Sequence, residues 1–371
     1  MSAGVPTEAF VCVFIFLSLL IGAAFRELYR KFHIPFTPAL LVFGILIGGL
    51  SGFLGPFGDL AKAASNLDPH GIIILFIPIL LFESAMNADW YIFKKSFANI
   101  LMLAGPGVVF NILFTGVCIR LILYPVDPVQ NFSWEAAFTL SAIISTTDPV
   151  AVVALLKEVG APPHFNTLVE GESLLNDGSA IVFFNLFLGL LRGGNANVEA
   201  IALDFVQFAG LGPIIGIIFG ILGSYWLRRI LRDEILVTCL TFCMCFLCFF
   251  VAEYVLKSSG ILAVVACGLF MAVFGKTKID HQSEHSLHSV WGFLQWNCET
   301  IIFFLAGLVI GVQPTTDSNI IDIYDWLKMF GLYVCITIGR LAMISIPQKE
   351  RFWLKLERSY RPVLWWTAWS N

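Results

Sequence analysis

The stretch Ser145-Thr146-Thr147-Asp148-Pro149, followed by Glu170-Gly171-Glu172-Ser173-Leu174-Leu175-Asn176-Asp177-Gly178, decides the reading of this chain. Both blocks lie inside apolar runs long enough to cross a bilayer. An ionisable side chain there costs about 2.5–3.5 kcal/mol on insertion scales and therefore needs a partner or a function. Pro149 lacks an N–H and its ring crowds the Ser145 carbonyl, so a helix through this point is expected to break close to Asp148. Irregular backbone at membrane depth persists only where it lines a cavity or is buried in protein. The carbonyls freed by such a break, with the Thr146 and Thr147 hydroxyls, are hard oxygen ligands suited to a small alkali cation. A plain proline kink is the competing reading, and the acid beside three hydroxyl residues argues against it.

In the second block Asn176 and Asp177 fall near the middle of the run and point to adjacent faces of a helix. Glu172 precedes Asp177 by five residues, roughly 140° around the helix and about 7.5 Å along its axis. One carboxylate can then face a cavity while the other faces a neighbouring helix. Arg340 is the only basic residue well inside an apolar run, Arg120 and Lys328 falling near the ends of theirs, so Glu172 is its expected partner, in a structural rather than ion-binding role. Either charge alone would be too costly in the bilayer. Asp177 remains as the carrier, a carboxylate for which a proton and a cation compete. Because Asn176 is neutral, the pair carries one titrating group, and one proton is expected to trade for one monovalent cation.

Composition agrees with a membrane setting. Hydrophobic residues make up 58%, charged residues 13%, and the mean hydropathy is +0.84, whereas soluble domains are near half apolar and a quarter charged. Eleven apolar runs of about 20 residues span roughly 8–25, 35–54, 70–86, 98–123, 135–156, 166–191, 206–227, 233–256, 259–275, 291–312 and 324–346. Sixteen of the 22 basic residues fall in the connections after odd-numbered runs, including Lys94 and Lys95, and five in the even ones. Lys and Arg gather in cytoplasmic loops, so the amino terminus is expected outside. A net charge of −4 gives no reason to expect a nucleic-acid partner. His281, His285 and His288 share one helical stripe between runs 9 and 10, read as a solvated face with a pH sensor as the alternative.

These residues resemble the monovalent cation/proton antiporter family, in the branch of the sodium/proton exchangers, and come nearest to the plant plasma-membrane and sperm-type exchangers. The resemblance covers nearly the whole chain. Beyond the two blocks it is carried by Phe82-Glu83-Ser84, Gly105-Pro106-Gly107, Ser259-Gly260-Ile261-Leu262-Ala263, Glu299-Thr300-Ile301-Ile302-Phe303 and Gly339-Arg340. It implies an all-α polytopic membrane protein with the inverted-repeat antiporter fold, of whose thirteen helices this chain holds about eleven. It implies Asp177 as ion and proton carrier, with Asn176, Thr147 and Asp148 completing the site and Glu172 paired to Arg340. It also implies a homodimer in a lipid bilayer, expected at the plasma membrane. Residues 1–371 would form a single exchanger domain, with scaffold helices at about 8–86 and 206–312 and ion-binding core helices at about 98–191 and 324–346.

After Leu364 the family would begin another helix with a Gly-rich run, whereas this chain reads Trp365-Trp366-Thr367-Ala368-Trp369-Ser370-Asn371. Electroneutral sodium/proton exchange is the expected activity, with potassium as runner-up cation. The rival expectation is a truncated, transport-inactive isoform or scaffold that dimerises with complete exchangers, because the second broken helix is missing. An enzyme is not expected, for want of a nucleotide loop, a metal-ligand set or a nucleophile with its base. No cofactor or metal is expected beyond transported Na+ and H+.

Overall fold

The computed structural model describes residues 7–32, 36–53, 55–65, 69–123, 133–146, 152, 153, 156, 160–193, 205, 207–230, 233–316 and 323–345. The described residues are helical throughout apart from turns and short connections, and each of the eleven apolar runs holds a helix. Among the described residues, eight helices are long and apolar enough to cross a bilayer, and two shorter apolar helices accompany them. By contact the chain falls into two units, residues 1–83 with 281–323 and residues 84–280 with 324–371.

The first unit holds α1 (Thr7–Phe32), α2 (Phe36–Gly49), α3 (Pro56–Ser65), most of α4 (Pro69–Asn87) and α12 (His281–Thr316). Its centre is the α2–α12 pair, where glycines meet glycines. A Cβ on Gly44 would lie 2.6 Å from the Phe304 carbonyl and 3.0 Å from the Gly307 Cα, and one on Gly48 2.6 Å from the Leu308 carbonyl. Small residues spaced by four let two membrane helices bring their backbones together. Around this pair Phe14 stacks on Phe304 with centroids 5.8 Å apart, and Leu60, Ala61 and Ala64 of α3 are buried in the same cluster. The sequence reading missed α3, because only one face of its ten residues is apolar. It also started run 10 at residue 291. The helix begins at His281, so the histidine stripe belongs to the same continuous α12.

The second unit is built on α5 (Trp90–Met102), α6 (Val108–Cys118), α7 (Trp134–Ile144), α8 (Pro163–Leu191), α9 (Gly212–Leu227), α10 (Glu234–Phe250), α11 (Gly260–Phe270) and α13 (Ile323–Ser345). Asp89 caps α5 by accepting from Tyr91 N–H at 3.0 Å. Lys94 and Lys95, assigned above to a connection, therefore lie on this helix. Its leading turns are amphipathic and escape a search for apolar runs. Between α5 and α6 the chain passes through a π-helical turn, Leu103–Gly107, around Pro106. Such turns absorb the hydrogen bond that an internal proline removes. α9 meets α11 backbone to backbone, with a Cβ on Gly212 2.7 Å from the Ser259 carbonyl.

Candidate ion site on helix α8

α8 starts on Pro163, a residue whose missing N–H is harmless in the first turn. It runs 29 residues, about 43 Å at 1.5 Å per residue. Two glycines bring its neighbours close. A Cβ on Gly171 would meet Ile100 Cδ1 at 2.7 Å and Phe93 at 3.0 Å, and one on Gly178 would press into the Leu262 side chain. Glu172 and Asp177 are each adjacent to one of these glycines, so both carboxylates sit where neighbouring side chains pack directly on the helix. Near its start, the buried Ser96 hydroxyl lies 3.1 Å from His164 Nδ1, tying α5 to α8.

Arg340 of α13 places Nη2 3.2 Å from Glu172 Oε1, with the two side chains only 10% and 19% exposed. A pair so shielded is costly to break, because each charge would be left in a medium that cannot solvate it. The residue before Arg340 explains how α13 comes near enough: a Cβ on Gly339 would lie 2.7 Å from Asn111 Oδ1 and 2.9 Å from the Phe114 ring. Five residues beyond Glu172, Asp177 is half-buried while Asn176 beside it is 1% exposed. Asn176 Oδ1 has no hydrogen-bond partner among the described residues. Buried acceptors in native proteins are nearly always satisfied, so an unpaired one marks a place for a guest or for strain.

α7 ends at Ile144, and Ser145 N–H still donates to Ser141 O at 3.0 Å. α7 thus ends ahead of Asp148, where run 5 was expected to break, and residues 152, 153 and 156 of the same run are helical. Pro149 disfavours helical geometry in the residue before it and offers no N–H to Ser145. Thr147, Asp148 and Pro149 lie outside the described residues. Their neighbours show a shared chemistry. Ser141 donates to Ile112 O at 2.6 Å, Ser145 to Ala142 O at 3.1 Å and Thr146 to Ile143 O at 2.9 Å. Each hydroxyl proton is held by a backbone carbonyl, so each oxygen presents lone pairs, which a cation can use and an anion cannot.

The sequence reading missed Asn111 and Thr115, whose side-chain oxygens are buried and unpartnered among the described residues. Their signal was a polar residue repeated at i and i+4 inside an apolar run. Among the described residues, no group of three or more His, Cys, Asp or Glu could hold a metal ion.

The family profile described as "Sodium/hydrogen exchanger, transmembrane" matches residues 15–367. Sodium/hydrogen exchanger 7 of Arabidopsis thaliana is 35% identical over 98% of this chain and 32% of its own length. The Na(+)/H(+) antiporter ApNhaP of Aphanothece halophytica is 30% identical over 95% of this chain and 64% of its own. The chain thus spans between a third and two thirds of these relatives. The solved structure of the sodium proton antiporter MjNhaP1 from Methanocaldococcus jannaschii superposes with a TM-score of 0.77, covering 95% of this chain and 82% of that one at 20% identity, which establishes a common fold. The names are those of exchangers and antiporters, which are transporters rather than enzymes. With the profile matching nearly the whole chain, the protein belongs to the sodium/hydrogen exchanger family.

Proposed function

We propose that this protein exchanges sodium for protons across a membrane, one for one, with Asp177 alternately binding the cation and the proton. The observation that carries this reading is the Arg340–Glu172 pair at 3.2 Å. It neutralises Glu172, and Asp177, beside the neutral Asn176, supplies the single exchanged charge in this reading. Asn176, Thr147 and Asp148 complete the ion site in this proposal. The helices at 98–191 and 324–346 form the moving core, and those at 8–86 and 206–312 the scaffold. The protein works as a homodimer, at the plasma membrane, with its amino terminus outside. Relatives named as sodium/proton exchangers and antiporters support sodium as the cation.

The test is flux from the chain expressed from its own gene in cells without other exchangers. An imposed sodium gradient should drive internal alkalinisation in membrane vesicles, and Asp177→Asn should lower the rate at least about tenfold, a barrier change near 1.4 kcal/mol, with expression unchanged. Flux that survives Asp177→Asn removes Asp177 from the carrier role. Potassium-driven flux that exceeds sodium-driven flux replaces the cation. Asn176→Asp adds a second titratable group and is expected to make exchange depend on membrane potential. Exchange that stays independent of potential in that variant overturns the single-charge argument.

A further inference from the structure

Beside the carrier helix the second unit contains a cavity of about 540 Å³. Pro106, Phe110 and Leu113 line it from the α5–α6 rod, Val182 and Phe183 from α8, and Leu262 from α11. Its lining holds a single side-chain hydroxyl, that of Ser179, whose proton already goes to Leu175 O at 2.9 Å. A buried water requires about three polar partners, and this lining does not supply them. Nor can a cation settle on a surface without carboxylates or free carbonyl clusters. The cavity is partly open: among its lining residues Phe110 is 36% exposed, Leu113 48% and Phe205 38%. These residues belong to or border spans long and apolar enough to cross a bilayer, Trp90–Leu121, Pro163–Leu191 and Gln207–Leu227. The cavity mouth is therefore continuous with the surface that the bilayer wets.

We infer that this cavity is a binding site for one acyl chain of a membrane phospholipid, lodged against α8 one turn beyond Asp177. The medium determines the occupant, since hydrocarbon is what surrounds the mouth and an apolar void left empty forfeits contacts on every wall. The size agrees. At roughly 30 Å³ for a group of water size, the volume accommodates about 18 such groups, the bulk of one acyl tail. The seat touches Ser179, Val182 and Phe183 of the carrier helix on one side and Leu262, which cushions Gly178, on the other. A bound chain thus becomes part of the packing that Asp177's helix meets.

Photolabelling of the full chain in lipid nanodiscs tests the site, using a phosphatidylcholine with a diazirine halfway along one tail and mapping the labelled residues. Label is expected on Phe110, Leu113 and Phe183, saturating at a low mole fraction of probe, while exposed Ile214 and Ile221 of α9 are labelled in simple proportion to it. Ala209 also lines the cavity, and Ala209→Phe, which fills it, should reduce the cavity label at least about fivefold, a loss of roughly 1 kcal/mol in binding. Leu222→Phe on the lipid-facing side of α9 should leave it unchanged. If Ala209→Phe does not fold, Leu113→Trp at the mouth is read in the same way. Labelling in proportion to probe at every site means bulk lipid only, and absence of label from the cavity means that protein closes it. Either result overturns the proposal, and neither bears on sodium flux, so the two readings fail separately.

Discussion

The α2–α12 pair and the surroundings of α8 both depend on glycine, and they use it in opposite ways. In the first, each glycine faces backbone: Gly44 and Gly48 approach the carbonyls and Cα atoms of α12, and Gly307 and Gly311 those of α2. Backbone atoms within a hydrogen-bonded helix cannot yield separately, so this contact is rigid. Around α8 the glycines face side chains instead, Ile100 and Phe93 against Gly171, Leu262 against Gly178, and Asn111 and Phe114 against Gly339. Side chains can change rotamer at a cost of about 0.5–1.5 kcal/mol. The elements that carry Glu172, Asp177 and Arg340 are therefore cushioned where these glycines sit, whereas the α2–α12 contact is locked. An element that must serve two arrangements needs contacts that can be remade, because tightly packed interfaces switch between discrete states and do not deform continuously.

The largest expected effect tests whether charge holds the cushioned region together. Arg340→Ala leaves Glu172 shielded and without its guanidinium, and should cost about 3–5 kcal/mol, seen as a steep fall in folded protein. Glu172→Gln added to it should recover part of the loss. A thermodynamic cycle on thermal stability in detergent measures the coupling. If the two losses simply add, the 3.2 Å contact contributes nothing and packing alone accounts for the region.

The next test separates the two uses of glycine directly. Gly307→Ala places a methyl group against the Leu41 carbonyl and 2.9 Å from the Gly44 Cα, and overpacking of this kind costs about 1–3 kcal/mol. Gly178→Ala pushes only the Leu262 side chain, and the helix gains about 0.8–1.0 kcal/mol of propensity, so little net change in stability is expected. Thermal midpoints of the two variants provide the comparison. Equal losses would show that backbone and side-chain contacts are equally stiff here.

Much of this was legible in the sequence. Eleven runs of about 20 apolar residues read as membrane helices, eight helices among the described residues are long and apolar enough to cross a bilayer, and an arginine within one run had to sit beside a carboxylate, which is where Arg340 lies. Two features were not legible, for different reasons. α3 is short and apolar on one face only, so no window of bilayer length reports it. The glycine spacings Gly44 to Gly48 and Gly307 to Gly311 are visible, but whether a glycine meets backbone or side chain depends on the partner helix, and the chain does not state that locally. The hydroxyl and acid ahead of Pro149, Thr147 and Asp148, fall outside the described residues, so the second half of the candidate site rests on the sequence.

The smallest expected effect concerns Asn111, where stability and function should part. Its Oδ1 is buried without a partner among the described residues, on a residue 2% exposed, and it lies where any side chain at position 339 would collide with it. An unsatisfied buried acceptor costs about 1–3 kcal/mol, whereas an apolar group of similar shape has no such penalty. Asn111→Leu is therefore expected to raise the stability of the folded protein slightly, by about 1 kcal/mol at most, since the branched methyls also crowd Gly339. The unpaired oxygen would not be kept for stability, so a second consequence follows: the variant should exchange sodium more slowly than its parent although it melts higher. Side-by-side melting curves and vesicle flux decide this. A variant that melts lower shows that the oxygen already has a partner in the folded protein. One that melts higher and transports at the parental rate shows that Asn111 is a tolerated flaw in the α6–α13 packing and that the cushioned region does not keep this polar group for movement.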